Sequence, residues 1–339
     1  MKRHGPLVVA IAGAAVLALG ACGSSGRTSS AIASLDALPD KAPDVSTAAI
    51  TTTTLPSARQ QACSANGMET ASYPPLESDD GFIAHLRAVG RIRVGLDENT
   101  RGLSVRDPQT GEFEGFEVEL AHEIARRLFG AAYDRETSVV PVPLVTSEKT
   151  PAVADQSVDL TISAVSMSCG RWEEVDFSAE YYTAHQKFLV RSDSDIRDRQ
   201  DLVGRRVCVT SRSTSERIMG EEVPAAELVP VEARTDCLAA LQLGEADAYF
   251  GHDTFLYGML AQDPTVEIRD LLDPEVTVSH YGIAVNRQHP EFTRFVNWAL
   301  EDIIADGTWD QLYVDSLAEL LPDGSPGAEP PVPDYRRVA

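Results

Sequence analysis

Between Ile162 and Ser178 the chain reads ISAVSMSCGRWEEVDFS, an apolar run that gives way to the hydroxyls of Ser166 and Ser168 and then to a lone arginine, Arg171. In a chain of net charge −23, an isolated guanidinium is a candidate anion site. Its planar fork can grip a carboxylate through two parallel charge-assisted bonds. A surface ion pair with Glu173 or Glu174 is the alternative. A second anion-binding pattern is TSRSTS, Thr210 to Ser215, which opens a helix. Backbone amides at a helix start, together with the hydroxyls of Ser213 and Thr214, can hold an anion or simply cap the helix. Other chemistries find no pattern. HEIAR, His122 to Arg126, carries Arg126 where the second histidine of a zinc motif would stand, so it reads as the polar face of a helix. There is no G-x-S-x-G, and Ser213 has no identifiable base partner. No catalytic residue, cofactor or metal is expected.

The elements that must position these residues alternate between strand and helix. RIRVGL (91–96) reads as a strand. FEVELAHEIARRLFG carries Phe116, Leu120, Ile124 and Leu128 at i, i+4 spacing, with Gly130 as its stop. VDLTISAV (158–165) reads as a buried strand. TDCLAALQLGEADAYF reads as a helix started by Thr235 and stopped at Gly244, followed by a strand. The last strong helix runs from Pro290 to a stop at Gly307. Such alternation implies α/β architecture with right-handed crossovers. GRIRVGL at Gly90 echoes GRRVCVT at Gly204, and AVADQSVDLTI echoes ALQLGEADAYF, each pair bringing one aspartate, Asp159 or Asp247. The echo points to two similarly built lobes with a cleft between the carboxyl ends of their strands.

The ends set the compartment. Lys2 and Arg3 precede an apolar run, Pro6 to Gly20, that is short for a membrane span and reads as an export signal (residues 1–21). It closes on LGAC, where small residues precede Cys22 as in the lipobox of bacterial lipoproteins, so Cys22 is expected to carry lipid on the outer face of the cytoplasmic membrane. Residues 22–75, rich in Ala, Ser, Thr and Pro, read as a flexible stalk, and residues 323–339 as a loose Pro-rich tail. Besides Cys22 there are Cys63, Cys169, Cys208 and Cys237, which allow three disulfide pairings in an oxidising compartment. The strong negative charge argues against nucleic acid and against an anionic membrane surface as partners.

The ordered series RVGLD, GEFEGFEVELAHEIARRL, VDLTISAVSMSCGRWEEVDFSAEYY, DLVGRRVCVTSRSTS, LQLGEADAYFGHDT, YGIAVN and VNWALEDIIADGTWDQLY resembles the polar-amino-acid family (family 3) of ABC-transporter solute-binding proteins. It is most similar to actinobacterial glutamine/glutamate-binding lipoproteins. The resemblance covers about residues 85 to 320 and implies a two-lobe periplasmic-binding-protein fold of type II, hinged and closing over a ligand. Lobe 1 would comprise 76–187 and 278–322, and lobe 2 residues 188–277.

By the same resemblance Arg171 holds the carboxylate of a free amino acid. Ser166 takes the hydroxyl position, and Ala164 offers its backbone carbonyl to the ammonium. The start of the TSRSTS helix, with Ser213 and Thr214, adds to the carboxylate site, and Asp97 meets the ligand side chain. This chain departs from the family pattern in four places. Arg212 stands where glycine is usual, and Thr210 where a basic residue can occur. The ammonium-binding aspartate falls on His252, with Asp253 next to it. Thr100 and Thr146 replace aromatic residues that flank the ligand. Glutamine is the first expectation, because the Asp97 carboxylate would accept from an amide; glutamate or aspartate follow, helped by Arg212. Cys208, in the first strand of lobe 2, is expected to pair with Cys237 on a neighbouring helix, leaving Cys63 with Cys169. The implied function is a monomeric, lipid-anchored binding protein delivering a polar amino acid to an ABC permease. A sensor subunit signalling through a membrane protein is the alternative, and an enzyme on the same fold a more distant one.

Overall fold

Helix α1 (Phe82–Val89) leads into strand β1 (Ile92–Leu96). A small antiparallel flap follows, β2 (Asn99–Thr100), β3 (Ser104–Arg106) and β4 (Phe113–Glu114), before helix α2 (Phe116–Phe129). The structure is a computed structural model and describes residues 67–336; the export signal, Cys22 and Cys63 lie outside the described residues. Phe116, Leu120, Ile124 and Leu128 of α2 are all buried, and the helix stops at Gly130 with a φ of 54°. The chain continues through β5 (Val139–Pro143), α3 (Pro151–Ala154), β6 (Leu160–Thr161) and α4 (Cys169–Trp172) into β7, a strand of 16 residues (Asp176–Arg191).

The second lobe is β8 (Arg206–Thr210), α5 (Thr214–Glu222), β9 (Glu227–Val231), α6 (Thr235–Leu243), β10 (Ala248–His252), α7 (Asp253–Leu260), β11 (Val266–Arg269) and α8 (Pro274–Thr277). Strand β12 (Val278–Val285) returns to the first lobe, which α9 (Pro290–Ala305) and α10 (Thr308–Ser316) complete. The strand order is β5-β1-β6-β12-β7-β10-β8-β9, with β1, β5 and β6 mutually parallel and β8 parallel to β9 and β10. Strand β7 runs through both lobes, pairing β12 from Asp176 to His185 and β10 from Gln186 to Val190. The change of partner at His185/Gln186, beside the return at Val278, marks the two crossing strands about which lobes of this kind close.

The internal echo is a matched structural joint. In lobe 1 the carboxylate of Asp159 accepts from Arg93 N (2.7 Å), Nε (3.3 Å) and Nη2 (2.6 Å). In lobe 2 Asp247 accepts from Arg206 N (2.9 Å), Nε (3.2 Å) and Nη2 (2.8 Å). Each aspartate thus ties the strand leaving a helix to the start of its parallel neighbour, which fixes register where neither side chain enters the core. The cores themselves are separate: Phe116, Tyr181, Tyr281 and Trp309 fill one, and Phe188, Val207, Val209 and Phe250 another. Burying each such side chain contributes about 1.5–3 kcal/mol.

Two expectations are corrected. The strand expected over 158–165 pairs only at Leu160–Thr161. Beyond it Glu117, buried in α2, accepts from Ala164 N at 2.6 Å and from the Tyr181 hydroxyl at 2.5 Å, and Ala164 is turned to a φ of 48°. Helix α6 starts at Thr235 and stops at Gly244 as expected, with Arg234 at the cap position. The parts of the stalk and tail that are described, 67–75 and 323–336, pack on lobe 1. Met68 bridges Ser168, Ser72 bridges Tyr335, and Asn297 Nδ2 donates to Tyr73 O at 2.6 Å. Arg336 donates Nε to Ala71 O at 2.9 Å and lies 4.5 Å over the Trp172 ring. Main-chain bridges and scattered side chains such as Asn297, Arg336 and Trp172 hold these segments, and none of them leaves a periodic trace in the sequence.

Candidate functional site

Helix α4 is one turn long and sits where the chain leaves the end of lobe 1's sheet. Its Trp172 is buried and donates Nε1 to Glu69 O at 2.9 Å, which anchors the turn and aims Arg171 into the cleft. Arg171 donates Nη1 to Ser166 O at 3.1 Å and Nη2 to Arg212 O, from lobe 2, at 3.4 Å. Glu174 instead takes the Thr150 hydroxyl at 2.7 Å. Carbonyls accept hydrogen bonds without cancelling charge, so the guanidinium keeps its attraction for an anion. Burial pushes its pKa down to about 10, which still leaves it protonated at neutral pH.

Six of the eight expected ligand residues meet at one cavity: Ala164, Ser166 and Arg171 from lobe 1, and Ser213, Thr214 and His252 from lobe 2. The Ser166 hydroxyl joins Ser279 Oγ (2.8 Å) and, across the lobes, Thr214 Oγ1 (3.2 Å). Ser213 caps α5, accepting from Glu216 N at 3.2 Å and donating to Thr210 O at 2.6 Å, so both of its bonds are internal. Thr210 lines the cavity too, while the exposed Arg212 side chain does not. Arg212 has a φ of 56°, the left-handed conformation that favours glycine there.

Asp97 and Asp253 are placed differently. Asp97 lies at the adjoining mouth, where Oδ1 accepts from Asn99 N (2.8 Å) and Thr100 Oγ1 (3.0 Å). Its Oδ2 meets Arg234 Nη2 at 3.0 Å. Although burial opposes its charge, Arg234, Lys149 and these hydrogen bonds together hold its carboxyl below the ordinary range. Asp253, the first residue of α7, is outside the cavity lining; its carboxylate is bonded to the amides of His185 and Thr254, and burial pushes it up to about 6. His252, the last residue of β10, is the one of the two that faces the cleft. It is buried between Phe255 and Tyr281, each 5.1 Å away, and neither ring nitrogen has a partner. Burial, reinforced by Arg234 and Arg171, holds its pKa well below the ordinary value, so the ring is neutral.

Four lining residues carried no recognised signal in the sequence: Lys149, Arg234, Tyr249 and Phe255. Phe255 supplies from lobe 2 the aromatic surface that Thr100 and Thr146 lack, and the Arg234 guanidinium stacks 3.8 Å from its centroid. Lys149, 2% exposed, donates Nζ to Ser163 O at 2.6 Å. Arg234 was findable as another isolated arginine in an acidic chain; Lys149 sits in a polar loop with nothing to mark it. The lining thus holds three basic side chains and no carboxylate, inverting the sign of the protein as a whole. Contacts that span the lobes here include Ser166–Thr214, Arg171–Arg212, Asp97–Arg234, and Ser147 Oγ to Glu232 Oε2 at 3.2 Å.

The cysteines fall as expected where they are described. Cys208 is bonded to Cys237 with Cα atoms 5.6 Å apart, and Cys169 is disulfide-bonded, its expected partner Cys63 lying outside the described residues. Among the described residues no helix is long and apolar enough to cross a membrane.

Comparison with known proteins agrees with this geometry. The chain is 27% identical over 248 residues to the ABC transporter glutamine-binding protein GlnH of Bacillus subtilis, covering 72% of this chain and 87% of that protein. It is 28% identical over 257 residues to the glutamate-binding protein GluB of Corynebacterium glutamicum, covering 73% and 86% respectively. A crystal structure of a mutant of ArgBP from T. maritima, 28% identical, matches with a TM-score of 0.62 over 70% of this chain and 99% of that one. The family model of the bacterial extracellular solute-binding proteins, family 3, matches residues 92–317. Two lobes, a shared long strand and an arginine-lined cleft are therefore those of a family member: the chain belongs to family 3 of the bacterial extracellular solute-binding proteins.

Proposed function

We propose that this protein captures a polar amino acid by closing its lobes over it and delivers it to an ABC permease, held at the outer face of the membrane by lipid on Cys22. The observation that carries the reading is Arg171: a half-buried guanidinium bonded to two carbonyls, at a cavity that the first turn of α5 closes from the other lobe. A ligand carboxylate there gains two charge-assisted bonds from Arg171 and the dipole of α5. The neutral His252 and the carbonyl of Ala164 are the acceptors available to an ammonium group. The names of GlnH and GluB support glutamine and glutamate as candidates, with aspartate beside them. Asp97 no longer favours glutamine, because both of its oxygens are engaged within the protein.

Thermal shift against each of the standard amino acids tests the reading. A ligand present at 100 times its Kd stabilises the folded state by about 2.7 kcal/mol. A rise in Tm with glutamine, glutamate or aspartate, and none with apolar amino acids, is expected. No response to any of these three would sink the proposal.

A further inference from the structure

We infer that Arg234 heads a second anion subsite, so that the captured ligand carries an acidic group in addition to the carboxylate held by Arg171. The inference rests on the reading of the cleft above and specifies its ligand. Arg234 is 5% exposed and stands at the N-terminus of α6, the positive end of a helix dipole, where a cation is disfavoured unless anions meet it. One anion does: Asp97 takes Nη2 at 3.0 Å. The other end of the fork, Nη1, is buried and has no hydrogen-bond partner among the described residues. A buried charged donor without an acceptor is costly, and the stacking of its face on Phe255 offers nothing in the plane of the guanidinium where an acceptor must lie.

Charge points the same way. Arg171, Arg234 and Lys149 line the cavity. The nearest carboxylates offset only part of this charge: Asp97 meets one end of the Arg234 fork, and Glu117 is taken up by Ala164 N and the Tyr181 hydroxyl. An electrically neutral amino acid leaves this excess uncompensated, whereas a ligand with two carboxylates brings the matching charge. The alternative is that Arg234 serves only to latch the lobes through Asp97.

Isothermal titration with L-glutamate, L-aspartate, L-glutamine and plain glutarate separates these cases. In the wild type at least one of the two acidic amino acids should bind more tightly than glutamine. Arg234→Gln should weaken that acid at least about tenfold more than it weakens glutamine, since the lost charge is felt by the charged ligand whereas the lost contact with Asp97 is felt by both. The double variant Asp97→Asn, Arg234→Gln removes both members of the pair and should show the same selectivity change, which guards against an effect of stranding Asp97. Equal losses for glutamate and glutamine in both variants would leave Arg234 as a latch and overturn the inference, as would a wild type that prefers glutamine to both acids. Binding of glutarate, sensitive to Arg234→Gln, with no response to any amino acid would uphold the second subsite and sink the amino-acid reading. No binding of any of the four overturns both.

Discussion

Arg234 Nη2 and Asp97 Oδ2 meet at 3.0 Å from opposite lobes, with both side chains almost wholly withdrawn from water. An ion pair that exists only when the lobes are shut rewards closure and contributes nothing to the open form. Asp97→Asn should therefore weaken binding of the best ligand by about tenfold or more while leaving the ligand-free melting temperature near that of the wild type. Removing one member of a buried pair costs about 2–5 kcal/mol when the other stays buried, and the open form avoids that cost by hydrating Arg234. Calorimetry beside thermal melts checks this; unchanged affinity would show that the pair does not contribute to closure.

Arg171 should dominate affinity. Stranding a bound carboxylate without its bidentate partner costs about 2–5 kcal/mol, so Arg171→Ala should lose roughly 30-fold to over 1,000-fold in Kd. Arg171→Lys should recover part of this, since an ammonium cannot reproduce the fork. Trp172, not Arg171, anchors α4, so the variant should fold and its circular dichroism should match the wild type. A folded Arg171→Ala protein that binds within threefold of wild type would place the carboxylate elsewhere.

The Cys208–Cys237 bond closes a loop across a sequence separation of 29 inside lobe 2. Cross-linking of this length contributes about 2–4 kcal/mol by restricting the unfolded chain. Cys208→Ala together with Cys237→Ala should lower Tm by several degrees while ligand selectivity is kept, because neither cysteine is among the residues lining the cavity. Loss of ligand discrimination in a folded double variant would instead tie the bond to the placing of Arg234, three residues before Cys237.

The residues that sequence made legible are those whose role is local. The i, i+4 face of α2 and the stop at Gly130 are short-range patterns found where expected, and the two echoed aspartates, Asp159 and Asp247, hold matching joints. Arg171 was legible because it follows a strand end inside an ordered run of motifs. Arg234 and Lys149 act only through lobe closure and a loop packed under Ser163, relationships between residues far apart in the chain. The same applies to Glu117, which looks like a helix surface residue and is instead the buried acceptor that turns Ala164. Asp253 was the natural substitute for a missing aspartate, yet the last residue of β10, His252, takes the cleft and the first of α7 turns to the hinge.

His252 should affect stability more than ligand pH dependence. Burial, then Arg234 and Arg171, depresses its pKa, so the folded protein leaves it neutral where the unfolded chain protonates it. The unfolded state binds the extra proton below about pH 6.5, and stability therefore falls as pH falls through that range. Asp253 works in the opposite direction, since its raised pKa lets the folded state take up a proton first. The difference in Tm between wild type and His252→Gln isolates the histidine: the wild type should lose more on going from pH 6.5 to 5. Equal losses would mean that His252 is not held neutral.

Lys149 should make capture of an acidic ligand proton-linked. Burial and the guanidinium of Arg234 push its ammonium down to about 7, against the pull of Asp97 and Glu117, with Arg171 adding to the depression. At pH 7 to 8 the ligand-free cleft thus holds Lys149 only partly protonated. A ligand whose second carboxylate lies beside it favours the charged form and raises its pKa, so binding takes up a proton, and affinity falls as pH rises through this window. For one fully coupled group the loss approaches tenfold per pH unit. Titration of L-glutamate at pH 7.5 in buffers of different ionisation enthalpy measures the proton directly. Uptake of a fraction of a proton is expected for the wild type and none for Lys149→Met, whose affinity should be weaker at pH 6 and flat up to pH 9. Because glutamine adds no second charge, its uptake should be smaller in the same protein. Equal uptake with glutamate and glutamine would show that the proton answers to the Arg171 carboxylate rather than to the second acidic group, and no uptake with either would remove Lys149 from the binding equilibrium.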